Sequence, residues 1–304
     1  MIAAIPPGMT APRQILPGAT YLVTRRCAQR QFLLRPSKNT NDVFLFLLAV
    51  AAHRYGVQVH AYCVLSNHYH LVVTDPHARL PAFQQFLDAL LARAMNAALG
   101  RWEAFWAPDS YSAVRLVSPG DIVDKAAYVL ANPVAAGLVG HGRLWPGAWS
   151  DPERIGAGAL EVERPSHFFA SKGGSLPEKV ALELTPPPGF GSAAEFKDQV
   201  IAKSAELEQQ AAQKMSRGFI GVARVLAQKP TTRPAPMEPR RNLNPRVAAR
   251  DPWKRIEVLG RVKAFLQAYR LAWAERRAGK TDVVFPAGTY LLRVVHAVPC
   301  AGFG

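Results

Sequence analysis

Cysteine is scarce in this chain of 304 residues, with only Cys27, Cys63 and Cys300. They are scattered and none falls in a Cys-x-x-Cys spacing, which excludes a disulfide framework, a cysteine zinc site and a dithiol redox pair. The three read as buried or incidental thiols in a reducing compartment. No apolar run approaches the roughly 20 residues that cross a bilayer, and Met1 to Gly18 lacks a charged start followed by an apolar stretch. The expectation is a soluble cytoplasmic protein with no membrane partner. No internal repeat is visible. A phosphate-binding Walker loop is also missing: Gly279-Lys280-Thr281 has Ala274 where the first glycine is required, and it follows a helical stretch rather than a strand. A fused ATP-driven motor is therefore not indicated.

Acidic residues are in short supply as well, 22 Asp and Glu against 37 Lys and Arg, for a formal charge of +15. So basic a surface attracts polyanions, and nucleic acid becomes the expected partner. Half of the residues are apolar (49%), enough to bury a real core at this length.

Residues 1–17, rich in Pro and small residues, read as a loose tail. Thr20 to Cys27 is a β-branched and aromatic run ending in Arg25 and Arg26, and reads as a strand. Asn41 is placed to cap a helix that runs to Gly56. Val57 to Leu65 and Tyr69 to Thr74 read as two strands joined by a turn at Ser66-Asn67. Leu80, Phe83, Leu87, Leu90, Leu91 and Ala94 recur at helical spacing up to Gly100. Tyr111 to Val117 is a further strand and Asp121 to Ala131 a further helix. This order predicts an α+β fold, a ferredoxin-like antiparallel sheet with helices on one face.

After Ser150 the texture changes. The expected organisation is a domain over 18–150, a polar helical region over 151–228, a Pro- and Arg-rich linker over 229–246, and a basic C-terminal segment over 247–304. In the last, Asp251 and Pro252 open a helix with Trp253, Ile256, Leu259, Val262, Leu266, Tyr269 and Trp273 on one face and Gly279 at its end. Thr289 to Val298 is strand-like. This mainly helical extension is read as contacting DNA, with packing on the first domain or self-association as alternatives.

His68 and His70 flank Tyr69 in a predicted strand. Alternate residues share a face, so both imidazoles project to the same side, roughly 6.5 to 7 Å apart at their Cα atoms. That lets two rings converge on one divalent ion such as Mn²⁺ or Mg²⁺. The pair alone does not separate ligands from solvated strand residues. On the helix from Asp121, a step of 100° per residue puts Asp121, Lys125, Tyr128 and Asn132 on a stripe opposite Ile122, Val123, Ala126 and Leu130. Tyr128 thus lies off the packing face. Asn132, one turn on, could offer an amide oxygen as a third ligand, or could simply end the helix because Pro133 follows.

The segment Ala61-Tyr-Cys-Val-Leu-Ser-Asn-His-Tyr-His-Leu-Val-Val73, followed by Tyr128-Val-Leu-Ala-Asn-Pro-Val-Ala-Ala-Gly-Leu-Val139, resembles the IS200-like (single-tyrosine, HUH) transposase superfamily. It is most similar to the REP-associated tyrosine transposases, over roughly Gly18 to Trp149. The resemblance implies an HUH-type fold, Tyr128 as nucleophile, a divalent metal ion (Mg²⁺ or Mn²⁺) on His68 and His70, and Asn132 as third ligand where related enzymes often carry glutamine. It also implies single-stranded, hairpin-containing DNA as substrate and a monomer or homodimer. Lys125 is placed to favour the Tyr128 phenolate or to touch phosphate. Arg25, Arg26 and Arg115 are candidate DNA contacts, as are the more scattered Arg240, Arg241, Arg246 and Arg250. Two other readings remain open, a catalytically silent transposase-derived hairpin-binding protein and a metal phosphodiesterase that uses water.

Overall fold

The computed structural model describes residues 12–108, 111–166, 169, 174–234 and 245–303. Much of the expected N-terminal tail and most of the linker, with Arg240 and Arg241, lie outside the described residues. In chain order come β1 (Ala19–Arg26), α1 (Lys38–Tyr55), β2 (Gln58–Leu65), β3 (His68–Asp75), α2 (Leu80–Leu99), β4 (Ser112–Leu116) and α3 (Pro119–Ala135). Beyond them lie β5 (Leu160–Glu163), β6 (Lys179–Leu182), α4 (Ala193–Gln213), α5 (Val222–Ala227), β7 (Val247–Ala248), α6 (Pro252–Arg277) and α7 (Leu291–His296).

Local chemistry sets these boundaries. The cap of α1 is Ser37, whose hydroxyl accepts the Thr40 N–H, so Asn41 falls in the first turn and its amide instead donates to the Pro146 carbonyl. Gly56 and Gly100 end α1 and α2 in the left-handed region, where a side chain would be strained. At α3, Ser118 and Asp121 form a reciprocal capping box ahead of Pro119. That helix does not stop at Asn132. It runs through Pro133 to Ala135, because Val134 is fully buried and the Ala136 N–H still reaches the Asn132 carbonyl.

Four strands pair antiparallel in the order β2-β3-β1-β4, and β7 joins β4 in parallel as a short fifth strand. Both sheet edges are thereby covered, since Cys63 in β2 also bridges to Trp149 and Val59 to Leu184. The predicted α+β class holds, but the helices do not keep to one face. Tyr69, Leu71 and Val73 face α1 and α2, where the Phe44 ring lies 5.5 Å from that of Tyr69 and Asp88 accepts the Tyr69 hydroxyl at 2.6 Å. His68, His70, Val72 and Thr74 face the opposite side, which α3 covers, and α4 packs along the outside of α3. The β5–β6 hairpin lies over α1. The region after Ser150 therefore embraces the sheet domain on both sides, and Val162, Val180, Leu182, Phe196 and Val200 belong to its core.

Two expectations for the C-terminal segment need correction. The stretch expected to be a strand, Thr289 to Val298, contains the short helix α7 (Leu291–His296) instead. The predicted face of α6 splits: Phe265 and Tyr269 enter a small second core with Val283, Phe285 and Val298, whereas Trp253, Ile256 and Leu259 are exposed. Asp251 and Pro252 do open this helix, the Asp251 carboxylate accepting the Trp253 N–H at 2.8 Å.

Candidate active site

The hairpin between β2 and β3 places His68 at the first position of β3 and His70 two residues on. Their rings stand edge to face with centroids 4.7 Å apart. Each is held at Nδ1: His68 lies 2.6 Å from the Asn67 side-chain oxygen, and His70 lies 2.7 Å from the Thr24 hydroxyl across the β1–β3 pairing. An amide oxygen can only accept, so His68 Nδ1 carries the proton and its lone pair sits on Nε2. The Asn67 amide is itself oriented by donating to the Arg30 carbonyl at 3.2 Å. His70 Nε2 is buried and has no hydrogen-bond partner.

Both imidazoles are neutral. Burial, then the charges of Arg26 and Arg30, push His68 down to about 3. Burial, then His68 and Arg26, hold His70 well below the usual histidine range. Neutral rings with Nδ1 fixed and Nε2 unused are what a divalent cation requires, and a buried orphan nitrogen is otherwise costly. The donor set therefore fits a metal ion. Among the described residues no group of three His, Cys, Asp or Glu converges, so no carboxylate would share it. Two imidazoles with at most an amide oxygen suit Mn²⁺ better than Mg²⁺, which prefers an oxygen shell.

Tyr128 reaches this pair from α3. Its ring centroid lies 5.4 Å from that of His70, and the side chain is 40% exposed, open on one side. Its stripe is not a solvent stripe, however. Asp121 and Asn132 are buried, because α3 is clasped between the sheet and α4. The Tyr128 phenol is shifted up by burial, while a hydrogen bond from Asn132 and the charge of Arg26 pull it back down and Cys63 pushes it up. Cys63 is the register partner of His70 on β2, and burial raises its thiol far out of the reactive range. Lys125 lies beside the same ring. Its Nζ stands 5.7 Å from the centre of the Tyr128 ring, a cation–π placement.

The structure thus brings together His68, His70, Tyr128, Asn132, Arg26 and Lys125. Arg25 and Arg115 lie elsewhere. Arg25 pairs in register with Tyr69 and Arg115 with Tyr21, both on the face away from the histidines. There Arg25 contacts Asp88 at 3.5 Å and lies over the Trp106 ring, and Arg115 lines a crevice with Arg13 and Arg246. Arg250 is tied to Asp124. Three residues at the site went unnamed in the sequence. Thr24 becomes visible only once the β1–β3 register is known. Asn67 reads as a turn residue. Arg30 follows Gln29 in a left-handed pair with φ of 60 and 52°, and no glycine signals that turn.

No helix among the described residues is long and apolar enough to cross a membrane. No family model and no curated protein matches the chain. Among the solved structures that resemble it in part are two transposases. One is a REP-associated tyrosine transposase bound to a REP hairpin, 18% identical, with a TM-score of 0.39, covering 46% of this chain and 81% of that one. The other is a candidate transposase from Deinococcus radiodurans R1, 21% identical, with a TM-score of 0.28, covering 35% of this chain and 85% of that one. Likeness at this level assigns no residue, so the roles of Tyr128 and the histidines rest on the geometry of the site.

Proposed function

We propose that this chain is a single-tyrosine transposase that cuts and rejoins single-stranded DNA through a 5′-phosphotyrosine link at Tyr128. The observation that carries the reading is the edge-to-face stack of His68, His70 and Tyr128, at 4.7 and 5.4 Å between neighbouring centroids, with His70 Nε2 left without a partner. His68 and His70 are the residues that would hold a divalent ion, each with Nδ1 already engaged. When bound, that ion supplies the Lewis acidity that withdraws charge from a non-bridging phosphate oxygen.

The remaining chemistry belongs to the chain. Asn132 and Arg26 favour the Tyr128 phenolate against the burial that opposes it. The phenol oxygen attacks phosphorus, its proton leaves to solvent on the exposed side of the ring, and the bond from phosphorus to the 3′ oxygen breaks. The departing oxygen takes up a proton and becomes a free 3′-hydroxyl. Because the tyrosine ester keeps the energy of the phosphodiester, a 3′-hydroxyl attacking it restores a strand without ATP. The motif resemblance supports hairpin-containing DNA, such as a REP element, as the substrate class, and the charge of +15 supports phosphate binding.

Single-turnover assays on hairpin-bearing oligodeoxynucleotides with MnCl₂ test this. Tyr128→Phe is expected to abolish both cleavage and religation, and His68→Ala to abolish them with Tyr128 intact. Cleavage surviving Tyr128→Phe but not His68→Ala would assign the reaction to water instead, and tight hairpin binding without any cleavage would make the chain a silent DNA-binding relative.

A further inference from the structure

Tyr128 has a second neighbourhood that the cleavage chemistry does not use. A groove of about 240 Å³ that includes Tyr128 but neither histidine lies between α3 and the C-terminal part of α4. Its walls are Ala131 and Ala135 from α3, Leu207 and Ala211 from α4, and Met215 just beyond the end of α4. Lys214 stands at its rim, exposed, and no carboxylate lines it. The opening exists because alanines occupy the positions where two packed helices would normally interdigitate larger side chains. It is smaller than the roughly 300 to 1,000 Å³ of pockets that take drug-sized ligands, a size for a flat fragment of one or two rings.

The position of the groove narrows the occupant further. A strand whose phosphate reaches the Tyr128 hydroxyl must put the adjoining nucleotides within a few ångströms of that ring. A base in a single strand can leave its stack at modest cost, and an apolar slot beside a cationic rim stabilises such a base while the cation takes its phosphate. Lys125 stands over the Tyr128 ring and Lys214 at the groove's rim, so positive charge lies at both.

We propose that the α3–α4 groove is a nucleobase slot, holding one splayed-out base next to the scissile phosphate with Lys214 on the adjoining backbone. This rests on the DNA-cleavage reading of the same tyrosine. It gives the region after Ser150 a part in substrate binding, because α4 supplies half of the slot.

The test compares fluorescein-labelled (dT)12 with a 12-mer of the same phosphate count whose sugars carry no bases, using the full chain and fluorescence anisotropy. The slot predicts that wild type prefers the strand with bases. Filling the slot with Ala135→Leu/Ala211→Leu lowers that preference about fivefold or more while affinity for the abasic strand stays within about twofold. Lys214→Glu, a surface change that spares the core, weakens both strands together. An unchanged preference in the filled variant overturns the slot and leaves the cleavage reading standing. Failure of wild type to bind either strand also overturns the slot, while the cleavage reading is decided separately on hairpin-bearing DNA. A filled variant that keeps its base preference but loses concentration-dependent self-association in sedimentation would assign the groove to a second copy of the chain, and the slot would again be overturned.

Discussion

His68 and His70 owe their readiness for a cation to two small neighbours, Asn67 and Thr24, each of which occupies an Nδ1 and leaves Nε2 to point into the site. Without Asn67 the His68 ring can turn and change tautomer. Asn67→Ala should therefore weaken Mn²⁺ binding about 10- to 100-fold, as expected when a ligand's outer hydrogen bond is lost. Isothermal titration with MnCl₂ reads this, and an affinity unchanged within about twofold would show that Asn67 does not orient the ring. At this scale the histidine pair and the tyrosine were legible, because strand alternation and helical spacing are local rules. The basic residues were not. Arg25 and Arg26 are adjacent in sequence, yet the pleat sends one to Asp88 and leaves the other beside His68, and only the register of β1 against β3 decides which.

At the scale of elements, α3 carries the site and is anchored at both ends. Asp121 closes the capping box with one carboxylate oxygen and accepts the Arg250 N–H with the other at 2.7 Å, tying the segment that follows β7 to the helix that presents Tyr128. Asp121→Ala removes its half of the capping box and leaves the part-buried Ser118 and Arg250 N–H groups unmatched, which costs about 2 to 4 kcal/mol of stability. Urea unfolding measures this, and a loss below about 1 kcal/mol would show that water replaces the carboxylate. The sequence placed the start of α3 at Asp121, two residues inside the helix that Ser118 caps and Pro119 opens. It misplaced the end, since the rule that proline ends a helix gives way where Val134 is buried against the core. The burial of Asp121 and Asn132 on the stripe opposite the expected packing face was equally illegible, because a wheel shows which residues share a side but not that α4 will cover it.

Across the whole molecule, the chain from Ile155 to Val225 shares the core of the sheet domain, whereas the C-terminal segment builds a small core of its own. His60 marks the join. It is fully buried, with Nδ1 2.7 Å from the Thr185 carbonyl and Nε2 2.7 Å from the Thr74 hydroxyl, and the Phe196 ring of α4 stands edge-on to it. Burial pushes it down to about 4 from 6.5, with the Thr185 hydrogen bond acting in the opposite direction. The native state therefore refuses a proton that the unfolded chain accepts. This contribution is fully present above pH 6.5 and is lost as pH falls through 6.5 toward about 4. Full loss amounts to about 3 kcal/mol. His60→Gln should flatten that acid slope by about this amount in unfolding measured between neutral pH and about 4, and an unchanged slope would mean the imidazole is not held neutral. The fold class and the span carrying the motifs could be read from hydrophobic periods, whereas the wrapping of α4 and the β5–β6 hairpin could not, since long-range packing leaves no local signature.

One measurement bears on the central claim without intermediaries. After incubation of the protein with single-stranded hairpin DNA and MnCl₂, nuclease trimming and peptide mass spectrometry should find a 5′-linked nucleotide on Tyr128, absent from the Tyr128→Phe protein. Cleaved DNA with Tyr128 unmodified, or with the nucleotide on another side chain, would contradict the account.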